Sequence, residues 1–503
     1  MNVLFIQPFL IDFIHPCKID SNLQDMFIWP VYLENFLKNK INNLKTDLLH
    51  LPIEKGNGKI KINSIKEKKI FYSQMDKLIS NLKFEIDNQT TICVSVPSSF
   101  HYLSSILITE YLRDVFNYSA IVFGGPHVTA CPNDFIFPSS PIDYIITNEG
   151  EFSLYQLMKA GIKKQDDPVL IHSNPIPILD DLPPLDLSLY GKYAQFIPLF
   201  SINLSRGCPY RCNFCMEKKL ITKPKMKIWR AYSPKRAIKE INQIINFAEL
   251  HNINSFLTQF NDPIFGMSKK WLNEFLMLYN YDLDSIWIES RVDILDEKIL
   301  AKLQKRNFYQ MYGLENCSLQ MLRLMNKTTS PLLYLEKFKN IFKIHKKLDY
   351  SCFVNILLNY PGETEETILE SLKNFKEIIN TTNFSNFELG QFMYEHFPNT
   401  EVYNNFSYYE KNFGSISYYP KWWKDEETLY GAYCVKSSKD LSLKHSLNLF
   451  LKFNKEVGKL KNNNKLFVNT VKVKLFKDKI LEKFKDCEIF NEKQEKTTPT
   501  CLS

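Results

Sequence analysis

Over the first 160 residues, short apolar runs alternate with helical patterns. Runs of strand length stand at Asn2–Gln7, Asp47–Pro52, Thr91–Val96, Ala120–Gly124 and Asp143–Thr147. Between them apolar positions recur at three and four, most clearly over Tyr102–Phe116, the spacing of a helix with one buried face. This alternation predicts parallel strands with crossover helices, an open α/β sheet. The Lys-, Asn- and Gly-rich stretch Glu54–Lys69 reads as an exposed excursion. Pro175, Pro177, Pro183 and Pro184, set among Asp180, Asp181 and Asp186, read as an extended connector, because proline fixes φ and removes a backbone donor.

The alternation resumes at Phe200. Strands are predicted at Phe200–Ser205, Ser255–Phe260, Ser285–Glu289, Tyr309–Leu314, Ser351–Leu358 and Phe387–Phe392. Ser233 and Pro234 form an N-cap and first position for a helix with Ile238, Ile241, Ile245 and Ala248 on one face. Six such units predict an open or partial barrel, where chemistry sits at the C-terminal ends of the strands. Beyond Asn399 the pattern breaks. Tyr418, Tyr419, Trp422 and Trp423 cluster there, as the core of a small C-terminal region in preference to a cover for the barrel mouth. Lys-rich helical sequence runs to about Phe490, and Asn491–Ser503 reads as a frayed end. The expected organisation is residues 1–165, a linker 166–197, a partial barrel 198–398 and a C-terminal helical region 399–503.

A chain of 503 residues is too long for one compact domain. With 45% apolar and 23% charged residues it is not a disordered chain. The net charge of +8 is too dilute over this length to indicate nucleic acid. No run of about 18 apolar residues occurs, so no transmembrane helix is expected. Met1–Leu10 is apolar without a basic leader and reads as a first strand, not a signal peptide. Cys501 is third from the end, whereas a prenylation box needs its cysteine fourth. A cytoplasmic address follows, where the eleven cysteines are thiols or metal ligands in preference to disulfides.

Cys208, Cys212 and Cys215 form C-x3-C-x2-C directly after a predicted strand. No further Cys or His follows within thirty residues to complete a four-ligand zinc site. Three thiolates on a cubane iron–sulfur cluster would leave one iron open. Arg206, Arg211, Lys218 and Lys219 supply basic surroundings. His15, Cys17, Cys93 and Cys131 share no ligand spacing, and Cys93 lies in a strand. Cys317, Cys352, Cys434 and Cys487 read as structural.

The segment Ser205-Arg-Gly-Cys-Pro-Tyr-Arg-Cys-Asn-Phe-Cys215 resembles the signature of radical S-adenosylmethionine (SAM) enzymes. The resemblance implies a [4Fe-4S] cluster on Cys208, Cys212 and Cys215, SAM on the open iron, and Phe214 beside the adenine. It extends to Asn261-Asp262-Pro-Ile-Phe265, placed where the family contacts the SAM amino group, and to Arg291 after the third strand. Gly313-Leu-Glu315-Asn316 resembles a Gly-Ile-Glu-Ser element, with Glu315 or Asn316 toward ribose or carboxylate; Asn326-Lys327 follows. Tyr360-Pro-Gly-Glu-Thr364 resembles a turn after the fifth strand. Asn359 replaces the usual Gly before that turn, and Asn316 replaces Ser. Each element also has a plainer reading, as a turn or an ordinary ion pair.

Residues 91–152 resemble the Rossmann-like cobalamin-binding domain that precedes many radical SAM domains, through Val94–Ser99, Val122–Thr129 and Asp143–Glu151. Gly124 and Gly125 at a strand end let backbone approach a flat ligand closely. Ser98 and Ser99 offer hydroxyls at a neighbouring strand end, and Pro126 and His127 complete the candidate cobalamin contacts. The Asp-x-His-x-x-Gly cobalt-ligand motif is absent, and His127 reads more as a loop or groove residue than as a cobalt ligand.

The whole therefore resembles a class B radical SAM methyltransferase with [4Fe-4S] cluster, SAM and cobalamin. The resemblance implies C-methylation of an unactivated carbon in a peptide or other natural product. It also implies an electron donor such as flavodoxin or ferredoxin, with no nucleic acid and no membrane span. The alternatives are radical cyclisation, rearrangement or oxidation without cobalamin methyl transfer, a tRNA methylthiotransferase, and a metal-binding adaptor. Neither the N-terminal cysteines nor the Lys-rich tail resembles those of the tRNA enzymes.

Overall fold

The computed structural model describes residues 1–10, 26–54, 65–197, 199–217, 227–254, 256–283 and 285–460. Internal contacts divide the chain into two units. The first holds the N-terminal strand, Lys18–Met311 and Pro398–Glu401; the second holds Tyr312–Phe397 and the chain from Val402. The division falls inside a strand, not at the Pro-rich stretch.

The first unit opens with a six-stranded parallel sheet of β1 (Asn2–Gln7), β2 (Lys45–His50), β3 (Thr90–Ser95), β4 (Ala120–Gly124), β5 (Tyr144–Thr147) and β6 (Val169–His172). Its order is β2-β1-β3-β4-β5-β6. The order in which strands are added reverses between β1 and β3, the kind of switch point where open α/β sheets bind ligands. Val3–Ile6 are fully buried, as are Ile92, Ile121, Phe123 and Ile145. A parallel sheet covered on both faces needs such continuous apolar strands.

β1 and β4 coincide with their predicted runs, and the helix α1 (Trp29–Lys38) precedes β2. β2 starts two residues early, and Leu51 and Pro52 enter a short helix instead. α2 (Tyr102–Val115) follows β3 at its predicted position. The excursion Glu54–Lys69 is helical at its ends, within Leu51–Glu54 and Ile65–Ile79; its middle lies outside the described residues. β6 falls in the stretch read as an extended connector. It is an edge strand of two exposed and two half-exposed residues, too short and too polar in its setting to show a strand period. The rest of that stretch is held down by buried Leu179, Leu182, Leu185, Leu187, Tyr190 and Tyr193.

The same unit continues with parallel strands β7 (Leu199–Ile202), β8 (Leu257–Phe260) and β9 (Ile286–Ser290), in that order. The predicted first barrel strand stops at Ile202. Ser205 and Arg206 turn away into a two-residue antiparallel ribbon with Arg230 and Ala231. α3 (Pro234–Leu250) is capped as predicted, the Ser233 hydroxyl accepting from the Arg236 N–H at 3.3 Å. Its buried stripe is Ala237, Ile241, Ile244 and Ala248, so Ile238 and Ile245 lie at the edge of the face. β10 (Phe308–Glu315) crosses the division.

In the second unit the end of β10 is followed by the parallel pair β11 (Cys352–Leu358) and β12 (Phe387–Met393). Trp422 and Trp423 are buried in its core, with the Trp422 indole donating to the His396 carbonyl at 2.8 Å. The last described helix is α4 (Leu443–Gly458). The Lys-rich sequence beyond 460, Cys487 and Cys501 lie outside the described residues, as do His15, Cys17, Lys218 and Lys219. Among the described residues no helix is long and apolar enough to cross a membrane.

Candidate active site

In the first unit a cavity of about 640 Å³ opens at the carboxyl ends of β3, β4 and β5. Gly124, Gly125 and Pro126 line it, with Ser95, Pro97, Asn148, Glu149 and Glu151 from the neighbouring strand ends. Met26, Phe27, Trp29 and Tyr32 form an apolar and aromatic wall, and Ser201, Asn203, Gln259 and Asn261 come from the ends of β7 and β8. Gly125 has φ +105°, and a Cβ there would meet the Ser95 hydroxyl at 2.7 Å and the Val96 nitrogen at 3.0 Å. Only glycine therefore lets this turn pack onto β3.

The other candidates on this sheet sit elsewhere. Ser98, Ser99 and His127 do not line the cavity. His127 Nδ1 and the Ser99 hydroxyl are 2.9 Å apart, both buried, and the ring packs edge-on against Tyr102 and Phe135. Ser98 pairs with His101 Nδ1 at 2.9 Å. Burial pushes His101 down to about 3.

The cysteine loop leaves the ribbon through Gly207, at φ +83°. Cys212 is buried and Cys208 and Cys215 half-buried. Burial pushes Cys215 up to about 12 and raises Cys208, and the neighbouring thiols add to both shifts. Among the described residues no three Cys, His, Asp or Glu groups close on a single ion. The donor set fits an iron–sulfur cluster better than a zinc site, since three thiolates stand on one loop with no fourth. Glu217 lines the cavity just beyond, and burial pushes its carboxyl up to about 7.

Asp262 is buried, and its carboxylate accepts from both the N–H and the hydroxyl of Ser205, the latter at 3.0 Å. Burial pushes it up to about 7, against the pull of those hydrogen bonds. It holds the base of the loop, while Asn261 reaches the cavity. Arg291 is buried, pairs with Asp293 at 3.0 Å and lies over the Tyr210 ring at 3.8 Å. It therefore packs against the cysteine loop, on which Phe214 is half-buried.

Glu315 and Asn316 belong to the second unit. Glu315 has φ +69° and pairs with Lys327 at 3.0 Å. A Cβ on Gly313 would meet that carboxylate at 2.6 Å. Asn316 is fully buried and donates to Glu363 at 3.0 Å, so its amide braces the turn at Pro361–Thr364. Burial pushes Glu363 up to about 8.

Four charged residues of the first unit escaped sequence reasoning as a group. Arg206 pairs with Glu149 at 3.0 Å and Glu151 at 2.8 Å, and Arg230 pairs with Glu149 at 2.5 Å. Burial alone would raise Glu149, but the two guanidinium charges hold it below its ordinary value. The acidic turn Asn148-Glu-Gly-Glu151 was the one local signal; nothing near Arg230 in sequence announced its partner.

Parallel strands with a three-cysteine loop beyond the carboxyl end of β7 make an α/β domain with its candidate chemistry at the strand ends. Residues 202–375 match the Radical SAM superfamily; the chain carries a radical SAM domain, for which an iron–sulfur cluster and SAM are the cofactors, and it is a radical SAM enzyme. A protein of Pyrococcus horikoshii named as an uncharacterized methyltransferase is 24% identical over 327 residues, 61% of this chain and 67% of that protein. The anaerobic magnesium-protoporphyrin IX monomethyl ester cyclase of Rubrivivax gelatinosus is 26% identical over 330 residues, 60% of this chain and 55% of the cyclase. The chain thus spans about half the length of that cyclase.

Among solved structures, the cobalamin-dependent SAM radical enzyme OxsB matches with TM-score 0.60 at 14% identity, over 96% of this chain and 71% of OxsB. The radical SAM methyltransferase TsrM from Kitasatospora setae matches with TM-score 0.54 at 16% identity, over 80% of this chain and 75% of TsrM. These likenesses establish the fold, an α/β sheet domain ahead of a radical SAM core.

Proposed function

We propose that this protein is a cobalamin-dependent radical SAM C-methyltransferase acting on an unactivated carbon of a peptide or other natural product. One observation carries the reading: the strand-end cavity whose floor only Gly125 can form, and whose wall includes Arg206, two residues before Cys208. Cys208, Cys212 and Cys215 would hold the cluster, and Phe214, Asn261 and Arg291 are the side chains of the first unit proposed for SAM. Gly124, Gly125 and Pro126 would face cobalamin. When bound, these groups supply reductive cleavage of SAM to a 5′-deoxyadenosyl radical and a transferable methyl group. The chain's own part is positioning and dryness. Gly125 brings backbone close, Asp262 fixes the loop base, and Phe27, Trp29 and Tyr32 supply an apolar wall that would help to keep water from a bound ligand.

The domain division expected from the sequence, 1–165, 166–197, 198–398 and 399–503, belongs to this reading, as do a cytoplasmic address and a flavodoxin- or ferredoxin-like electron donor. The similarity to the anaerobic cyclase favours a second reading, oxidation and ring closure on the same core. Cobalamin content per chain after anaerobic cluster reconstitution separates a methyl-transferring enzyme, near one, from a cobalamin-free one, near zero. The cluster assignment is tested by Cys212→Ala, which should abolish iron–sulfur absorbance and SAM cleavage together; retained cleavage overturns it.

A further inference from the structure

Arg206 and Arg230 stand directly opposite each other across the ribbon that closes the base of the cysteine loop. Like charges in that register repel, and both side chains are largely buried. Glu149 lies between them, one oxygen 3.0 Å from Arg206 and the other 2.5 Å from Arg230. Glu151 gives Arg206 a second carboxylate at 2.8 Å. Glu149 stands in the turn after β5 of the first sheet, where it is fixed by the Ile176 N–H at 2.8 Å, and Glu151 opens the helix Glu151–Lys159 that follows. All four charged side chains line the cavity. Arg206 also lies over the Tyr32 ring at 5.1 Å. The Tyr32 hydroxyl donates to the Asn203 carbonyl at 3.2 Å and accepts from its N–H at 3.1 Å. The first sheet thus delivers the two carboxylates that neutralise the facing arginines of the ribbon.

We propose that Arg206 is a positioning residue: clamped by Glu149 and Glu151, it couples occupancy of the cavity over the first sheet to the seating of Cys208. The proposal rests on reading the cavity as the cobalamin site and the loop as the cluster site. A ligand in the cavity packs against the segment Glu149–Glu151 and fixes it. The ribbon is then held shut, and the loop leaves it through Gly207 in one geometry. A cluster on the cysteines acts the other way, ordering the loop and holding Arg206 toward the two carboxylates. Linkage makes the two effects equal.

The test is the affinity of the full chain for hydroxocobalamin, by equilibrium dialysis, with and without the reconstituted cluster. The wild type is expected to bind roughly tenfold more tightly with the cluster present, within the usual range of coupling between sites. In Arg206→Gln and in Glu151→Gln the two affinities need not match those of the wild type, since both side chains line the cavity, but their ratio should fall toward one. Arg206→Lys keeps the charge without the fork that holds two carboxylates, and its ratio should be intermediate. A purely structural role would weaken binding in both states and leave the ratio unchanged. An unchanged ratio in the glutamine variants, or equal affinities in the wild type, overturns the clamp but not the cavity. A wild type that binds no cobalamin in either state overturns the cavity's reading, and the clamp with it. Should Arg206→Gln fail to fold, the isosteric Glu151→Gln, which leaves Glu149 between the arginines, carries the test.

Discussion

The carboxylate of Asp262 accepts from the Ser205 hydroxyl at 3.0 Å, and that hydroxyl accepts in turn from the Trp229 indole at 3.1 Å. The pair joins the end of β8 to the start of the ribbon three residues before Cys208. Asp262→Ala leaves the buried Ser205 N–H and hydroxyl without their acceptor, a loss of about 1–3 kcal/mol. Iron per chain after reconstitution should fall while far-UV circular dichroism is unchanged. Asp262→Asn keeps an acceptor oxygen and should load more iron than the alanine variant.

Gly125→Ala adds a Cβ 2.7 Å from the Ser95 hydroxyl at a φ of +105°. Strain of this kind costs about 1–3 kcal/mol, and relief would shift the turn that floors the cavity. Gly161→Ala is the control: φ there is +78°, with nothing within 4 Å of the added carbon. Urea denaturation should show the larger loss for Gly125→Ala, and dialysis should show weakened cobalamin binding for that variant alone.

Asn359 stands where the resembled family has glycine, and the second unit gives the reason. Its φ of +62° needs a residue that tolerates the left-handed region. Its side chain donates to the Val435 carbonyl at 3.0 Å and accepts from the Ser446 hydroxyl at 2.8 Å. Asn359→Gly keeps the backbone and loses both buried bonds, so the urea midpoint should drop by the equivalent of about 1–3 kcal/mol. No change in midpoint would show that the two bonds contribute nothing.

His345 in the second unit sits between the Tyr312 hydroxyl at 2.9 Å and the Tyr350 carbonyl at 2.7 Å. Burial pushes it down to about 4 from 6.5. Below pH 6.5 the unfolded chain therefore takes up a proton that the folded chain refuses. Stability from this group is complete above 6.5 and falls as pH drops toward 4. Melting temperature measured across that window should fall with acid, and His345→Gln should flatten the slope.

The elements that were legible, such as strands β1 and β4 and helix α2, carry their period within a few neighbouring residues. β6 was not, because an edge strand half exposed on both sides has no burial pattern to display. The end of the first barrel strand was also misplaced: Ser205 and Arg206 look like strand but are drawn into a ribbon by residues more than twenty positions later. Trp422 and Trp423 were legible as core from their clustering alone.

By itself the sequence determined the alternating α/β architecture, the three-cysteine loop and the glycine pair at a strand end, because each is written in short-range spacing. Tertiary structure decided what those spacings could not. It withdrew Ser99 and His127 from the cavity by packing them against each other and against aromatic rings. It made Asn316 a brace for Glu363, and it set Glu149 between two arginines that face one another at the base of the loop. Buried charges and amides are satisfied by whatever partner the fold brings within hydrogen-bond reach, and that partner need have no neighbourly place in the chain.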